Sequence, residues 1–230
     1  MSREQNEDEV RDGYIDKMGT ELGELFHALS SELQWIYWKW CQYRTLFGDK
    51  PSRVDLLNDS ASLFFRIVQD VFFEDTVLGI ARLVGPPKSV GKPNLAITRL
   101  KEQISDSTLA SEVDCFVEKA KISATWALDW RHRQLAHRDL SLALKRPATP
   151  LAPVSRKDVE ESLDAIAALL NHIELRFCRA TTSYRNSPLH SDAEDLLYVI
   201  RDGLAHQKLR HESELRGHPL SDNIMNQEPI

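Results

Sequence analysis

Cysteine is scarce in this chain of 230 residues, which contains only Cys41, Cys115 and Cys178. An odd number of widely spaced cysteines without a CxxC pair cannot all be joined in internal disulfides, so reduced thiols are expected. Long apolar runs are also missing. No segment reaches the roughly 18 uncharged apolar residues that a membrane span needs, and the N-terminus MSREQNEDEV has no apolar signal-peptide core. These absences predict a cytoplasmic protein with no membrane partner.

The motifs of several large enzyme classes are absent as well. The sequence contains no glycine-rich phosphate or dinucleotide loop, no GxSxG serine elbow and no clustered set of cysteine and histidine zinc ligands. We therefore expect neither a cofactor nor a metal ion, and the corresponding nucleotide-binding, hydrolase and zinc enzyme classes are excluded.

Strand-like alternation is not found either, whereas helical periodicity recurs along the chain. With 42% hydrophobic and 28% charged residues, a chain of this length can bury one sizeable core. We predict an all-α fold, a bundle of five or six helices. The predicted helices are 21–47, ended by Gly48; one from Pro51 to the Gly85 turn; a short one capped by Asn94 and ending near Ile104; one that starts at Ser107 or Thr108; one capped by Ser155; and 191–215.

Composition divides the chain into three predicted parts. Residues 1–20 form an acidic N-terminal lead-in, residues 21–215 a single helical domain, and residues 216–230 a mobile C-terminal tail. The formal net charge is -6, but seven lysines and arginines and only one acidic residue lie between Arg131 and Lys157. Such a local basic segment suits a defined anionic ligand, and a solvated loop is the alternative.

The basic segment begins with DWRHRQLAHRDL, residues 129–140, in which arginine and histidine are crowded. Guanidinium groups bind phosphate oxygens in a bidentate manner, and imidazole titrates near neutral pH, so the pair suits phosphodiester chemistry. Spacing alone is weak support, since an arginine followed four to six residues later by a histidine also occurs elsewhere. The three such pairs are Arg131 with His137, Arg185 with His190, and Arg201 with His206.

Two further groups of residues each allow two interpretations. Arg66, Asp70 and Glu74 recur at helical spacing, either as a solvated salt-bridged stripe or as a second shell that orients a basic catalytic group. Four aromatic residues crowd one helix, where packing in the core or a dimer interface is favoured over base stacking. They are Trp35, Tyr37, Trp38 and Trp40.

Three blocks of the sequence occur in the same order, and with similar spacing, as the sequence blocks of one known family. SELQWIYWKWCQYRTLFG, PSRVDLLNDSASLFFRIVQDVFFEDTVLGIARL and DWRHRQLAHRDL resemble the abortive-infection U-type family of the HEPN superfamily. The resemblance covers residues 31–177. It implies an all-helical bundle, a twofold homodimer, RNA as a partner and a metal-independent ribonuclease site. Toxin or phage-defence function, with an antitoxin protein as a further candidate partner, is also typical of the superfamily.

Carried onto this chain, the resemblance makes Arg131 the phosphate-binding residue, His132 the adjacent polar residue and His137 the catalytic acid or base. The further predicted RNA-binding residues are Arg133, Arg138, Lys145 and Arg146. In a regular α-helix Arg131 and His137 would point about 120° apart, so the helix must distort or end here, or a twofold partner must share the site. The alternatives are a non-catalytic RNA- or protein-binding module, a structural dimer without a ligand, and an ordinary basic helix end.

Overall fold

Seven α-helices are found in the computed structural model, which describes residues 6–136, 144, 151, 153–185 and 192–216. They are α1 (Glu7–Met18), α2 (Thr20–Tyr43), α3 (Pro51–Leu83), α4 (Ser107–Ser123), α5 (Thr125–Trp130), α6 (Arg156–Cys178) and α7 (Ala193–Leu215). The shorter elements are π-helical segments at Arg44–Gly48 and Arg131–Ala136, a 3-10 helix at Ile97–Gln103, and a β-hairpin of Lys88–Ser89 and Lys92–Pro93. The predicted all-α class is confirmed. None of the described helices combines the length and the apolar composition that crossing a membrane requires.

The predicted start of α6 is confirmed in atomic detail. The Asp158 amide donates to Ser155 Oγ at 3.2 Å, and the Ser155 amide donates to Asp158 Oδ2 at 2.7 Å. These two bonds form a capping box, which satisfies amides that have no partner within the helix. Hydrogen bonds from Ser155 lower the pKa of the Asp158 carboxyl, because they stabilise its charged form.

The predicted cap at Asn94 is wrong. The short helix is a 3-10 helix whose N-cap residue is Ala96, and Asn94 instead belongs to the hairpin. Its side chain donates to the carbonyl of Pro86 at 2.9 Å and accepts from Ser89 Oγ at 3.0 Å. The two turn residues between the strands, Val90 and Gly91, have φ of 48° and 76°, as a type I′ turn requires.

Helix α1 lies within the predicted acidic lead-in and is tied to α6 by one polar contact. Tyr14 Oη donates to Glu174 Oε1 at 2.9 Å, and Thr182 Oγ1 lies 2.9 Å from Glu174 Oε2. Glu174 is only 5% exposed, so these hydroxyls satisfy a buried carboxylate. Burial, followed by the hydrogen bond to Glu174, raises the pKa of Tyr14 above its ordinary value.

Two compact units make up the chain, and the candidate site lies in the first. This unit, Met1–Cys41 with Val71–Ser187, has a core built from the apolar faces of α2, α4 and α6 and the C-terminal part of α3. Helix α4 packs along α6. The fully buried large side chains of this core include Phe26, Leu29, Leu33, Ile36, Ile80, Leu163, Ile166 and Leu169.

The second unit consists of Gln42–Asp70 and Pro188–Ile230. Helix α7 contacts the π-helical segment Arg44–Gly48, and the Arg53 guanidinium pairs with Glu194 at 3.1 Å. Within this unit α3 is kinked at Ala61, whose φ of -158° and ψ of 69° are not helical. Ser60 Oγ donates to the carbonyl of Leu57 at 2.9 Å, a side-chain bond of the kind that bends helices.

Candidate functional site

The short helix α5 ends at the arginine-histidine motif and is held in place by two tryptophans. Trp126 Nε1 donates to Oγ of the fully buried Ser162 on α6 at 3.1 Å. The Trp130 ring meets Phe73 of α3 edge to face, with centroids 5.4 Å apart, a favourable geometry for aromatic pairs. Since both ends of α5 are anchored, the position of Arg131 directly after Trp130 is well defined.

The backbone leaves regular α-helical geometry at Arg131, which begins the π-helical segment Arg131–Ala136. A distorted helix was one of the alternatives that the sequence left open, and single π-helical turns are frequent at functional sites. His137 follows directly and lies outside the described residues, as do Arg138, Lys145 and Arg146. The pairing of Arg131 with His137 therefore stays a prediction.

Arg131 lines a cavity of about 450 Å³ in the first unit. The other lining residues are Glu32 on α2, Arg82 and Leu83 at the end of α3, and Gly85, Pro86, Pro93, Asn94 and Leu95 of the hairpin region. A methyl group placed on Gly85 would lie 3.7 Å from Arg131 Nη1. The guanidinium therefore lies close to the C-terminal end of α3, where carbonyl groups carry partial negative charge.

The two arginines of the cavity differ in their partners. Arg82 Nη2 lies 3.0 Å from Glu32 Oε1. Arg131 has no carboxylate partner within the ranges that the structure describes. An arginine that is partly buried, lines a cavity and lacks a carboxylate partner is well suited to bind an external anion.

The neighbouring residues of the motif are arranged differently. His132 is exposed. Arg133 Nη1 pairs with Asp129 Oδ2 one turn earlier, at 3.4 Å, and its side chain is only 18% exposed. Arg133 is expected to bind RNA, and its guanidinium would have to do so while a carboxylate, that of Asp129, already contacts it.

The predicted second shell lies on α3 and is largely solvated. Arg66 Nε and Asp70 Oδ2 are 3.4 Å apart, with side chains 69% and 55% exposed, and Glu74 is also exposed. Exposed pairs of this kind contribute little to stability. This placement favours the interpretation as a salt-bridged stripe, and an orienting role remains a prediction.

The other two arginine-histidine pairs have arginines that are already paired. Arg185 contacts Asp164 at 2.6 Å and Glu160 at 3.7 Å, and the hydrogen bond to Asp164 raises the pKa of Arg185. Arg201 contacts Asp202 at 2.9 Å. Of the three arginines, Arg131 is thus the one without a carboxylate partner in the described part of the chain.

The aromatic residues of α2 divide between core and surface. Tyr37 and Trp40 are 6% and 4% exposed, which confirms packing for these two, and Tyr37 Oη donates to Asp164 at 2.9 Å. Trp35 is 57% exposed and meets Trp38 edge to face at 5.1 Å. Trp35 is therefore the member of the group with the most surface available to a partner.

Arg82 and Glu32 were not among the site residues selected from the sequence. Arg82 lies on α3 beyond the charged stripe of Arg66, Asp70 and Glu74, and Glu32 lies on α2 close to its aromatic residues. Nothing in their local sequence distinguishes them from other charged helix residues. Their grouping with Arg131 depends on the packing of α2, α3 and α5.

These features define an all-α protein in which a π-helical segment presents an arginine to a cavity with a second arginine. The sequence model of the protein family HEPN AbiU2, whose description is AbiU2, matches residues 19–197 of the chain. The chain belongs to this family of the HEPN superfamily, and the matched range includes every residue that lines the cavity. No curated protein and no solved structure matches the chain significantly.

Proposed function

We propose that this protein is a HEPN-type endoribonuclease that cleaves RNA without a metal ion and acts as a toxin or phage-defence effector. The observation that carries the proposal is the Arg131 guanidinium, which lines a cavity without a carboxylate partner in the described residues. Membership of the HEPN AbiU2 family supports it, and the motif beginning at Arg131 resembles the arginine-polar-histidine motif of the HEPN superfamily.

In the proposed reaction the 2′-hydroxyl of RNA attacks the adjacent phosphorus. The new O2′–P bond forms as the P–O5′ bond breaks, which leaves a 2′,3′-cyclic phosphate and a 5′-hydroxyl. Arg131 donates to the non-bridging phosphate oxygens as negative charge builds up on them. His137 moves a proton, either from the attacking hydroxyl or to the leaving oxygen, and His132 supplies a second polar group beside it.

Cleavage in the presence of EDTA tests this function directly. Purified protein incubated with total RNA should give products that end in 2′,3′-cyclic phosphate. Loss of a catalytic acid or base typically costs about 100- to 10,000-fold in rate, and we expect His137→Ala and Arg131→Ala to fall in this range. His190→Ala and His206→Ala should retain most of the activity.

The matched control for charge is Arg176→Ala, because Arg176 is an exposed arginine on α6 that does not line the cavity. It should cleave like the unmodified protein. His132→Ala separates two mechanisms, since a modest loss means that His132 orients the site and a loss equal to that of His137→Ala means that two histidines transfer protons. Unchanged cleavage by folded Arg131→Ala and His137→Ala proteins would refute the proposal and leave a non-catalytic binding module as the alternative.

A twofold homodimer is part of the same proposal. On the second unit α3 exposes Leu63, Phe64 and Ile67, which are 73%, 60% and 54% accessible. Neighbouring exposed apolar side chains are typical of interaction surfaces, and the exposed Trp35 is another interface candidate. Light scattering at tens of micromolar should show a dimer, because a specific interface holds with micromolar affinity or better. A monomer would exclude a site shared between two copies.

An antitoxin protein that binds the effector is the further partner we propose. The proposal depends on toxin function and is tested by co-purification with the products of neighbouring genes. Suppression of RNA cleavage by a co-purified protein would support it.

A further inference from the structure

We infer that Arg82 is a second phosphate-binding residue, which holds the RNA phosphate adjacent to the one held by Arg131. This inference rests on the proposed function and extends it to a substrate subsite. Both arginines line the same cavity of about 450 Å³. Cavities of about 300–1,000 Å³ accommodate whole small molecules, so this one has room for more than a single phosphate group.

The charges around the cavity favour an anion. Its lining contains two arginines and one carboxylate, Glu32, which leaves one net positive charge. The hairpin that borders the cavity adds Lys88 and Lys92, both exposed, and residues 85–95 contain no acidic side chain. The side chains that line the cavity thus carry a net positive charge although the whole chain is acidic.

The contact with Glu32 orients Arg82 without saturating it. A guanidinium has five N–H donors, and the structure shows one bond of Arg82, from Nη2 to Glu32 Oε1 at 3.0 Å. The Arg82 side chain is 53% exposed, so about half of its surface is accessible to a ligand. Glu32 therefore restricts the position of the side chain and leaves N–H groups available for phosphate oxygens.

The hairpin gives the cavity a firm wall. The Asn94 amide N–H donates to the carbonyl of Pro87 at 2.8 Å, and its side chain donates to Pro86 at 2.9 Å. Pro86 and Asn94 both line the cavity. These bonds form between protein groups and do not depend on a ligand. The wall therefore has to lose little conformational freedom when a ligand binds.

A binding measurement that does not require cleavage tests the inference. The probe is a short, fluorescently labelled 2′-O-methyl oligonucleotide, which has no 2′-hydroxyl and cannot be cut by the proposed reaction. Losing one charge-assisted contact should weaken binding by Arg82→Ala about tenfold. The log-log dependence of affinity on salt should become shallower by about 0.7, the value for one single-strand phosphate contact.

The matched control is again Arg176→Ala, which removes the same charge from an arginine that is also exposed and paired with one carboxylate. It should leave both the affinity and the salt dependence nearly unchanged. Glu32→Gln separates phosphate binding from a purely structural ion pair. If Arg82 binds phosphate, removing the opposing charge should tighten binding, whereas a purely structural pair would make both Glu32→Gln and Arg82→Ala weaken it.

Cleavage kinetics separate the two arginines. A contact to a phosphate that does not react contributes equally to substrate and transition state, so Arg82→Ala should raise KM and leave kcat within about twofold. Arg131→Ala should lower kcat. Arg82→Lys, which keeps the charge, should retain the salt dependence of the unmodified protein and provides a second variant if Arg82→Ala does not fold.

The two proposals fail in different ways. Cleavage that needs Arg131, together with unchanged oligonucleotide binding by Arg82→Ala, would refute the role of Arg82 and leave the ribonuclease function intact. Absence of cleavage, together with weaker binding and a shallower salt dependence in Arg82→Ala, would refute the ribonuclease function and support the phosphate subsite.

Discussion

Gly85 lines the candidate site and packs against the last turn of α3. Its substitution by alanine should therefore affect both the stability of the protein and the geometry of the site. A methyl group at this position would lie 2.8 Å from the carbonyl oxygen of Ala81 and 3.3 Å from that of Arg82. Both are backbone atoms of the last turn of α3, so the end of the helix has to move. Overpacking of this kind costs about 1–3 kcal/mol, and the smaller entropy of the unfolded alanine chain offsets about 0.4–1 kcal/mol of it.

The expected net loss of unfolding free energy is therefore about 1–2 kcal/mol for Gly85→Ala. For a chain of this size each kcal/mol corresponds to about 2–4 °C in Tm, so Tm should fall by about 2–8 °C. Gly203 is the control, because it lies inside α7 and a methyl group there meets nothing within 4 Å. Alanine is the better helix former, so Gly203→Ala should gain about 0.5–1 kcal/mol.

Urea and thermal unfolding followed by far-UV circular dichroism measure both variants, and the two shifts should have opposite signs. Gly85→Ala should also weaken oligonucleotide binding although both arginines remain, because the end of α3, which carries Arg82, has to move away from the new methyl group. Gly203→Ala should bind normally. A Gly85→Ala protein as stable as the unmodified one would refute the close approach that this reasoning requires.

Three further predictions concern stability away from the cavity. Ser155→Ala removes the capping box with Asp158 and should cost about 1 kcal/mol in chemical unfolding; an unchanged midpoint would contradict the cap. Tyr14→Phe leaves the buried Glu174 with one donor fewer and should cost about 1–3 kcal/mol near neutral pH, with faster hydrogen exchange in α1. Because the folded pKa of Tyr14 is raised, its contribution is full below the unfolded pKa of about 10 and declines as pH rises above it, so the two proteins should converge in alkali. Val90→Asn places a residue that tolerates positive φ at the hairpin turn and should add about 1 kcal/mol, whereas a loss would argue against the type I′ geometry.

The helix boundaries predicted from the sequence agree best with the structure where they depend on residues next to the boundary. Pro51 begins α3 as predicted, Ser155 caps α6, and Ser107 begins α4, because caps and helix breakers act within a few residues of themselves. The prediction at Asn94 was wrong for a reason that is not local. Its amide could equally well cap a helix or bind a turn carbonyl, and the hairpin brings the carbonyl of Pro86 within reach.

Periodicity, helix breakers and ordered blocks of residues were enough to predict the all-α class and the family and to select Arg131, because each of these signals is carried by residues close together in the chain. Helix geometry also indicated that Arg131 and His137 could act together only if the helix distorts or ends at the motif, or if a twofold partner shares the site. The π-helical segment at the motif and the cavity that Arg131 shares with Arg82 and Glu32 became visible only in the folded protein. These three residues come from separate elements, so their proximity depends on how α2, α3 and α5 pack, which the spacing of charges along one helix does not specify.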